Sequence, residues 1–205
     1  MRKILPVLYV FALILGLASC GAKANGREAA QKLENRYGEK FTVLEVYPTQ
    51  IGAGYFEVKV CPTNQPHIIF EAAFDTRDEN FSDEYVACLK SHELANLLRE
   101  ILPDGCFVHG EVCNPKPICT DKMVSLDEYM SSDPVPWVRL AIFAENIDGL
   151  SNVVREFFDQ YPNWELRGTV YQVEDLQSIQ NYFKAEPTLG FDLKMELGLN
   201  GTEIA

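Results

Sequence analysis

Positive charge is scarce in this chain: 18 Lys and Arg stand against 30 Asp and Glu, a formal net charge of −12. Such a chain repels phosphate backbones and anionic head groups, which argues against nucleic acid as a partner. After the N-terminal apolar run no further stretch approaches bilayer-spanning length, and internal repeats and long low-complexity segments are missing too. Catalytic signatures are equally thin. The serine elbow is absent, and no Ser is followed three residues later by Lys. Ile51-Gly52-Ala53-Gly54 lacks the third Gly and the following helix of a phosphate-cradling loop, and reads as a hairpin turn. His92-Glu93-Leu94-Ala95-Asn96 has Asn where a zinc-protease helix needs its second His, one turn on, to face the metal. No pattern here implies a cofactor.

What is present begins at the N-terminus. Arg2 and Lys3 precede an apolar run, Ile4 to Gly16, which ends in Leu17-Ala18-Ser19-Cys20. A basic start, an apolar centre and a small-residue cleavage site make a secretory signal, and the run falls short of the roughly 20 residues that span a bilayer. Leu17-Ala18-Ser19-Cys20 resembles the lipobox of bacterial lipoproteins. The resemblance implies removal of residues 1–19, lipidation of Cys20 and residues 20–26 as a tether. It also implies a lipid-anchored protein on the extracytoplasmic face of the cell membrane or outer membrane. Gly21 is not the Asp associated with inner-membrane retention. Removing Arg2 and Lys3 moves the mature charge from −12 to −14, which would hold the body of the protein off an anionic surface.

Five further cysteines, Cys61, Cys88, Cys106, Cys113 and Cys119, are disulfide candidates in an exported protein. An odd count leaves at least one free thiol. One bond among Cys106, Cys113 and Cys119, with Cys61–Cys88 as a second, is the favoured expectation. The same stretch offers a zinc alternative, Cys106, His109, Cys113 and Cys119. Its weakness is that Cys106 and His109 sit three apart on an expected strand, so their side chains point to opposite faces. Asp75 to Glu84 is acidic enough to suggest a calcium loop, yet it holds Arg77 and no Gly, and a helix start explains its acids. Tyr47, Tyr55, Trp137, Trp164, Tyr171 and Phe191 are candidates to line a sugar or peptide groove, although core packing accounts for most of them.

The pattern along residues 27–205 alternates helices with short strands. Arg27–Tyr37 reads as a helix stopped by Gly38, and Phe41–Tyr47, Tyr55–Cys61 and His67–Phe74 read as strands. A helix is expected from Asp83 to Leu102, with Ser82 as its N-cap and a stripe through Tyr85, Cys88, Leu89, Leu94, Leu97, Leu98, Ile101 and Leu102. Cys106–Val112 and Trp137–Ala144 are strands, Ser125–Tyr129 a helical turn, Asp148–Tyr161 a helix, Trp164–Val173 a strand and Glu174–Phe183 a helix. The last twenty residues read as a ragged strand or tail. The expected fold is α+β: antiparallel sheets with helices on one face, α-β-β-β-α then β-β-α-β-α, with a possible boundary in the Pro-rich stretch 114–136. The function expected of it is binding of an envelope protein, peptide or small molecule. The rivals are a hydrolase whose Cys/His or carboxylate site assembles only in the fold, and a structural or inhibitory role.

Overall fold

The computed structural model describes residues 23–47, 54–77, 81–113, 119–133, 135–185 and 201–204. The signal, Cys20, the Asn114–Pro117 break and Phe191 lie outside these residues. The chain is α+β and divides into two compact units, the division falling between Glu84 and Tyr85 rather than in the stretch 114–136. Among the described residues no helix is long and apolar enough to cross a membrane.

The first unit opens with helix α1, residues 23–37, which starts four residues before the expected Arg27. Ala29, Leu33 and Tyr37 recur every four residues and are buried. Gly38 stops the helix as expected: it adopts φ +69 with open space around a hypothetical Cβ, and its N–H reaches Glu34 O at 2.8 Å, the left-handed C-cap geometry that glycine adopts without strain. Four antiparallel strands come next in the order β1-β2-β3-β4: β1 Phe41–Tyr47, β2 Tyr55–Pro62, β3 Phe70–Asp75 and β4 Phe81–Asp83. Alternation turns Phe56, Val58 and Val60 of β2 and Phe70, Ala72 and Phe74 of β3 inward. Phe56 and Phe74 are cross-strand partners and stack at 5.2 Å. Helix α1 lies over this face, with Lys32 Nζ 5.9 Å from the Phe74 ring and the Arg36 guanidinium 3.4 Å from the Phe81 ring.

Strand β4 departs from expectation, because the sequence reads 75–82 as loop and Asp83 as helical. Two contacts recruit these residues to the sheet instead. Phe81 stacks on Phe74 at 4.7 Å. Asp83 accepts hydrogen bonds from Arg36 Nη1 and Tyr37 Oη, both at 2.7 Å, and its side chain is only 2% exposed. Arg36 Nη2 also donates to Phe81 O at 3.1 Å. Burial, and then the neighbouring Asp83 carboxylate, raise the Tyr37 hydroxyl well above the ordinary tyrosine range. A raised folded-state value means that stability is fully present below about pH 10 and is lost as pH climbs beyond it, because only the unfolded chain releases that proton. Tyr37→Phe should therefore flatten the alkaline limb of the stability–pH curve by up to about 1.4 kcal/mol per pH unit above pH 10. Urea titrations at pH 7, 10 and 11 check this; an unchanged alkaline slope would refute it.

The second unit contains α2 Tyr85–Ile101, β5 Cys106–Cys113, α3 Leu126–Met130, β6 Trp137–Ala144, α4 Leu150–Phe158, β7 Glu165–Gln172, α5 Leu176–Ala185 and β8 Gly201–Ile204. The sheet order is β5-β6-β7-β8. β5–β6 and β7–β8 are antiparallel, whereas β6–β7 is parallel; a parallel pair needs a crossover, and α4 supplies it. Ser125 caps α3 by accepting from Glu128 N at 3.2 Å.

Helix α2 packs on the face of β5 and β6 that carries Gly110 and Leu140. Leu94 lies where a Cβ on Gly110 would touch it at 3.7 Å, and Ser91 Oγ accepts from Val112 N on the outer edge of β5 at 2.8 Å. These ties assign α2 to the second unit. The buried residues of α2 are Tyr85, Val86, Lys90, Leu94, Ala95 and Leu98, while Ile101 is 40% exposed. The stripe is therefore rotated from the expected one, and Lys90 lies within it because its Nζ finds Glu93 at 2.8 Å. The opposite sheet face carries a layer that the sequence did not show. Ala141, Phe143 and Tyr171 there pack with Val173 and with Ile179 and Phe183 of α5.

Candidate functional site

The sequence-derived metal and disulfide candidates separate in the fold. Cys106 and Cys113 end the same eight-residue strand. At about 3.3 Å per residue they are about 23 Å apart, far beyond the roughly 7 Å Cα limit of a disulfide. Cys106 faces away from His109, as strand parity requires, and His109 and Cys113, four residues apart, are separated by about 13 Å. This corrects the zinc alternative, since Cys106, His109 and Cys113 cannot share one ion. Among the described residues no group of three His, Cys, Asp or Glu is placed to hold a metal. His109 instead stacks on Phe183 at 4.5 Å and meets Glu111 Oε1 at 3.4 Å, while Glu111 Oε2 takes Arg139 at 3.0 Å.

Among the described residues no disulfide joins Cys61, Cys106 or Cys119 to another cysteine. Burial pushes the Cys61 and Cys106 thiols up, which lowers their thiolate fraction. In native protein Cys61 and Cys106 should be alkylated at least several-fold more slowly than in denaturant, and no peptide linking Cys106 to Cys113 should appear. Mass spectrometry of timed iodoacetamide digests reads both; equal native and denatured rates at Cys61 would refute the first, and a Cys106–Cys113 link the second.

Of the aromatic candidates, Tyr171 is core and Trp137 lies under the Arg139 and Arg167 guanidinium groups at 5.6 and 4.6 Å. Tyr47 Oη donates to Glu71 Oε1 at 3.3 Å, and Tyr55 is 43% exposed. Trp164 lines a cleft.

That cleft is built by the end of α4 and the turn behind it. Leu150, Val154, Phe157 and Phe158 hold α4 down by its apolar face. The helix closes with Asp159 N donating to Arg155 O at 2.8 Å and Tyr161 N to Phe158 O at 2.8 Å. Pro162-Asn163 then forms a reverse turn closed by Trp164 N donating to Tyr161 O at 3.0 Å, with Pro at the second position that a type I or II turn favours. The turn brings the Tyr161 and Trp164 rings into a stack at 4.2 Å and 20°. Phe158 meets Trp164 edge-on at 6.2 Å and Phe157 meets Tyr161 at 5.2 Å. Leu166 of β7 and Ile204 of β8 complete the lining of an open groove of about 320 Å³, together with Arg155, Asp159 and Pro162. Gly168 lets Ile204 close in, since a Cβ there would sit 3.1 Å from Ile204 Cδ1.

Apolar and charged residues share this lining: Phe158, Leu166 and Ile204 stand with Arg155, Asp159, Tyr161 and Trp164, and the side-chain polar groups of these last four make no hydrogen bond or ion pair among the described residues. Apolar surface beside a few polar groups is the usual composition of a small-molecule site, and the volume is at the lower end of the roughly 300–1,000 Å³ range. The sequence pointed to Trp164 alone. Arg155, Asp159 and Tyr161 read as a helix end; the signal that would have found them is Tyr161-Pro162-Asn163-Trp164, a helix stop with an aromatic at each end of its turn.

No family model matches the chain, and no curated protein matches it. Among solved structures it is similar to the crystal structure of a DUF5037 family protein from Ruminococcus gnavus. The identity is 14%, the TM-score 0.59, and the match covers 87% of this chain and 90% of that one. At that identity the likeness speaks to the fold alone.

Proposed function

We propose that the chain is an exported protein anchored by lipid on Cys20, and that its second unit binds a small molecule in the cleft beside Tyr161 and Trp164. The Leu17–Cys20 motif supports the anchor. The observation that carries the binding reading is the groove that Phe158, Leu166 and Ile204 line together with Arg155, Asp159, Tyr161 and Trp164, whose side-chain polar groups make no hydrogen bond or ion pair among the described residues. Polar tips on a rigid aromatic wall suit a ligand that is wet at one end and apolar at the other.

A thermal-shift screen of small polar metabolites against the purified full chain tests it. A ligand present at about 100 times its Kd adds about 2.7 kcal/mol, which raises the melting temperature of a chain this size by several degrees. At least one compound should stabilise the protein, and Trp164→Ala should abolish the shift. If no compound stabilises it, or if every hit survives Trp164→Ala, the cleft is not the binding site.

A further inference from the structure

We infer that the ligand of this cleft is a free amino acid with an apolar side chain, held by its ammonium at Asp159 and its carboxylate at Arg155; this rests on the proposed function above. The position of Asp159 is the first reason. It is the C-cap residue of α4, where the negative end of the helix disfavours a carboxylate and favours a cation. It follows Arg155 by four residues, the less stabilising order for an acid–base pair, and among the described residues no ion pair joins the two within 4.0 Å or offsets the acid. A carboxylate placed against the helix dipole beside the Tyr161 and Trp164 rings makes a spot where a ligand ammonium gains three times over: from the carboxylate, from the helix end and from the ring faces.

Arg155 supplies the opposite charge one turn back. It lines the same cleft, and a guanidinium can receive a carboxylate through two parallel hydrogen bonds. Residues four apart on a helix are neighbours on one face, with Cβ atoms about 5–6 Å apart. Two opposite charges that start from neighbouring positions can close on a ligand that carries both of its charges on one carbon, as an α-amino acid does, whereas a long molecule with a charge at each end would need them far apart. Phe158, Leu166 and Ile204 offer apolar surface to the third substituent.

Isothermal titration calorimetry on the purified full chain provides the test, with L-phenylalanine and L-leucine as probes. 3-Phenylpropionate, lacking the amine, phenethylamine, lacking the carboxylate, and methyl β-glucoside, uncharged, are the comparisons. The expected result is binding of at least one amino acid with Kd below about 1 mM, and binding of each one-charge analogue weaker by about tenfold or more. Asp159→Asn should weaken the amino acid about tenfold and leave 3-phenylpropionate unchanged, whereas Arg155→Gln should spare phenethylamine. Equal affinity for amino acid and analogues, or no effect of Asp159→Asn, overturns the ligand class. If the glucoside or a metabolite from the thermal screen binds in a Trp164-dependent way and neither amino acid does, the class is wrong while the cleft stands. If neither experiment yields Trp164-dependent binding, both fall.

Discussion

Cys20→Ala is expected to abolish lipid anchoring of the mature chain. Each buried methylene of an acyl chain contributes about 0.8 kcal/mol, and one chain gives only marginal, reversible attachment. The lipid expected on Cys20 carries more than one chain, and the body expected after cleavage, at −14 without Arg2 and Lys3, is repelled by an anionic surface rather than held to it. The variant should therefore remain as uncleaved precursor or leave the membrane as released protein. Detergent phase partition followed by intact mass distinguishes these fates from the parent, which should enter the detergent phase with its N-terminus at Cys20 and a lipid mass added. Mature-size Cys20→Ala protein retained in the membrane as fully as the parent would overturn the lipoprotein reading.

Asp83→Ala should cost the first unit about 3 to 5 kcal/mol, the range for removing one partner from a buried charge pair. Asp83 is 2% exposed in its side chain and serves both Arg36 Nη1 and Tyr37 Oη at 2.7 Å, so its loss leaves two donors facing a void between α1 and β4. Arg36, with 24% of its side chain exposed, can recover some hydration, which places the cost near the lower bound. Against a typical total of about 5–15 kcal/mol and a urea slope of about 1–3 kcal/mol per molar, the unfolding midpoint should fall by about 1 M or more. Asp83→Asn should fall less, because its amide oxygen still accepts from Tyr37. A midpoint for Asp83→Ala within about 0.3 M of the parent would mean that the pair merely rests on the fold.

Two strands were legible in the sequence to the residue. Phe41–Tyr47 alternates and is rich in β-branched and aromatic side chains, and Trp137–Ala144 is a buried apolar run between breakers. Their information is local, so a window of residues suffices. Strand β4 was not legible, because its reason for existing lies in Arg36 and Tyr37, more than forty residues away. The stripe of α2 was misread at Lys90, whose burial depends on Glu93 accepting its charge. The boundary obeyed the same logic: Pro-rich composition drew attention to 114–136, whereas Leu94 on Gly110 and Ser91 on Val112 bind α2 to β5. At the cleft, Trp164 stood out by residue type, but its relation to Arg155 and Asp159 arises from the way one helix ends and one turn closes. The Cys106–His109–Cys113 cluster is the converse case, where proximity in sequence concealed separation along a strand.

The different strand connections of the two units bear on how the chain acquires its structure. In the first unit every strand pairs with its sequence neighbour across a short connection. In the second, β6 waits for β7 until α4 has been traversed, and β8 joins β7 only after α5 and a long further segment. Search time grows with the sequence separation of the contacts that must form. The N-terminal unit should therefore reach its native pairing first, while the aromatic turn at Tyr161–Trp164 and the closing Ile204 are among the last parts to settle. A protein threaded across a membrane from its N-terminus would emerge in that order as well, and the groove beside Trp164 would be complete only once the final strand had arrived.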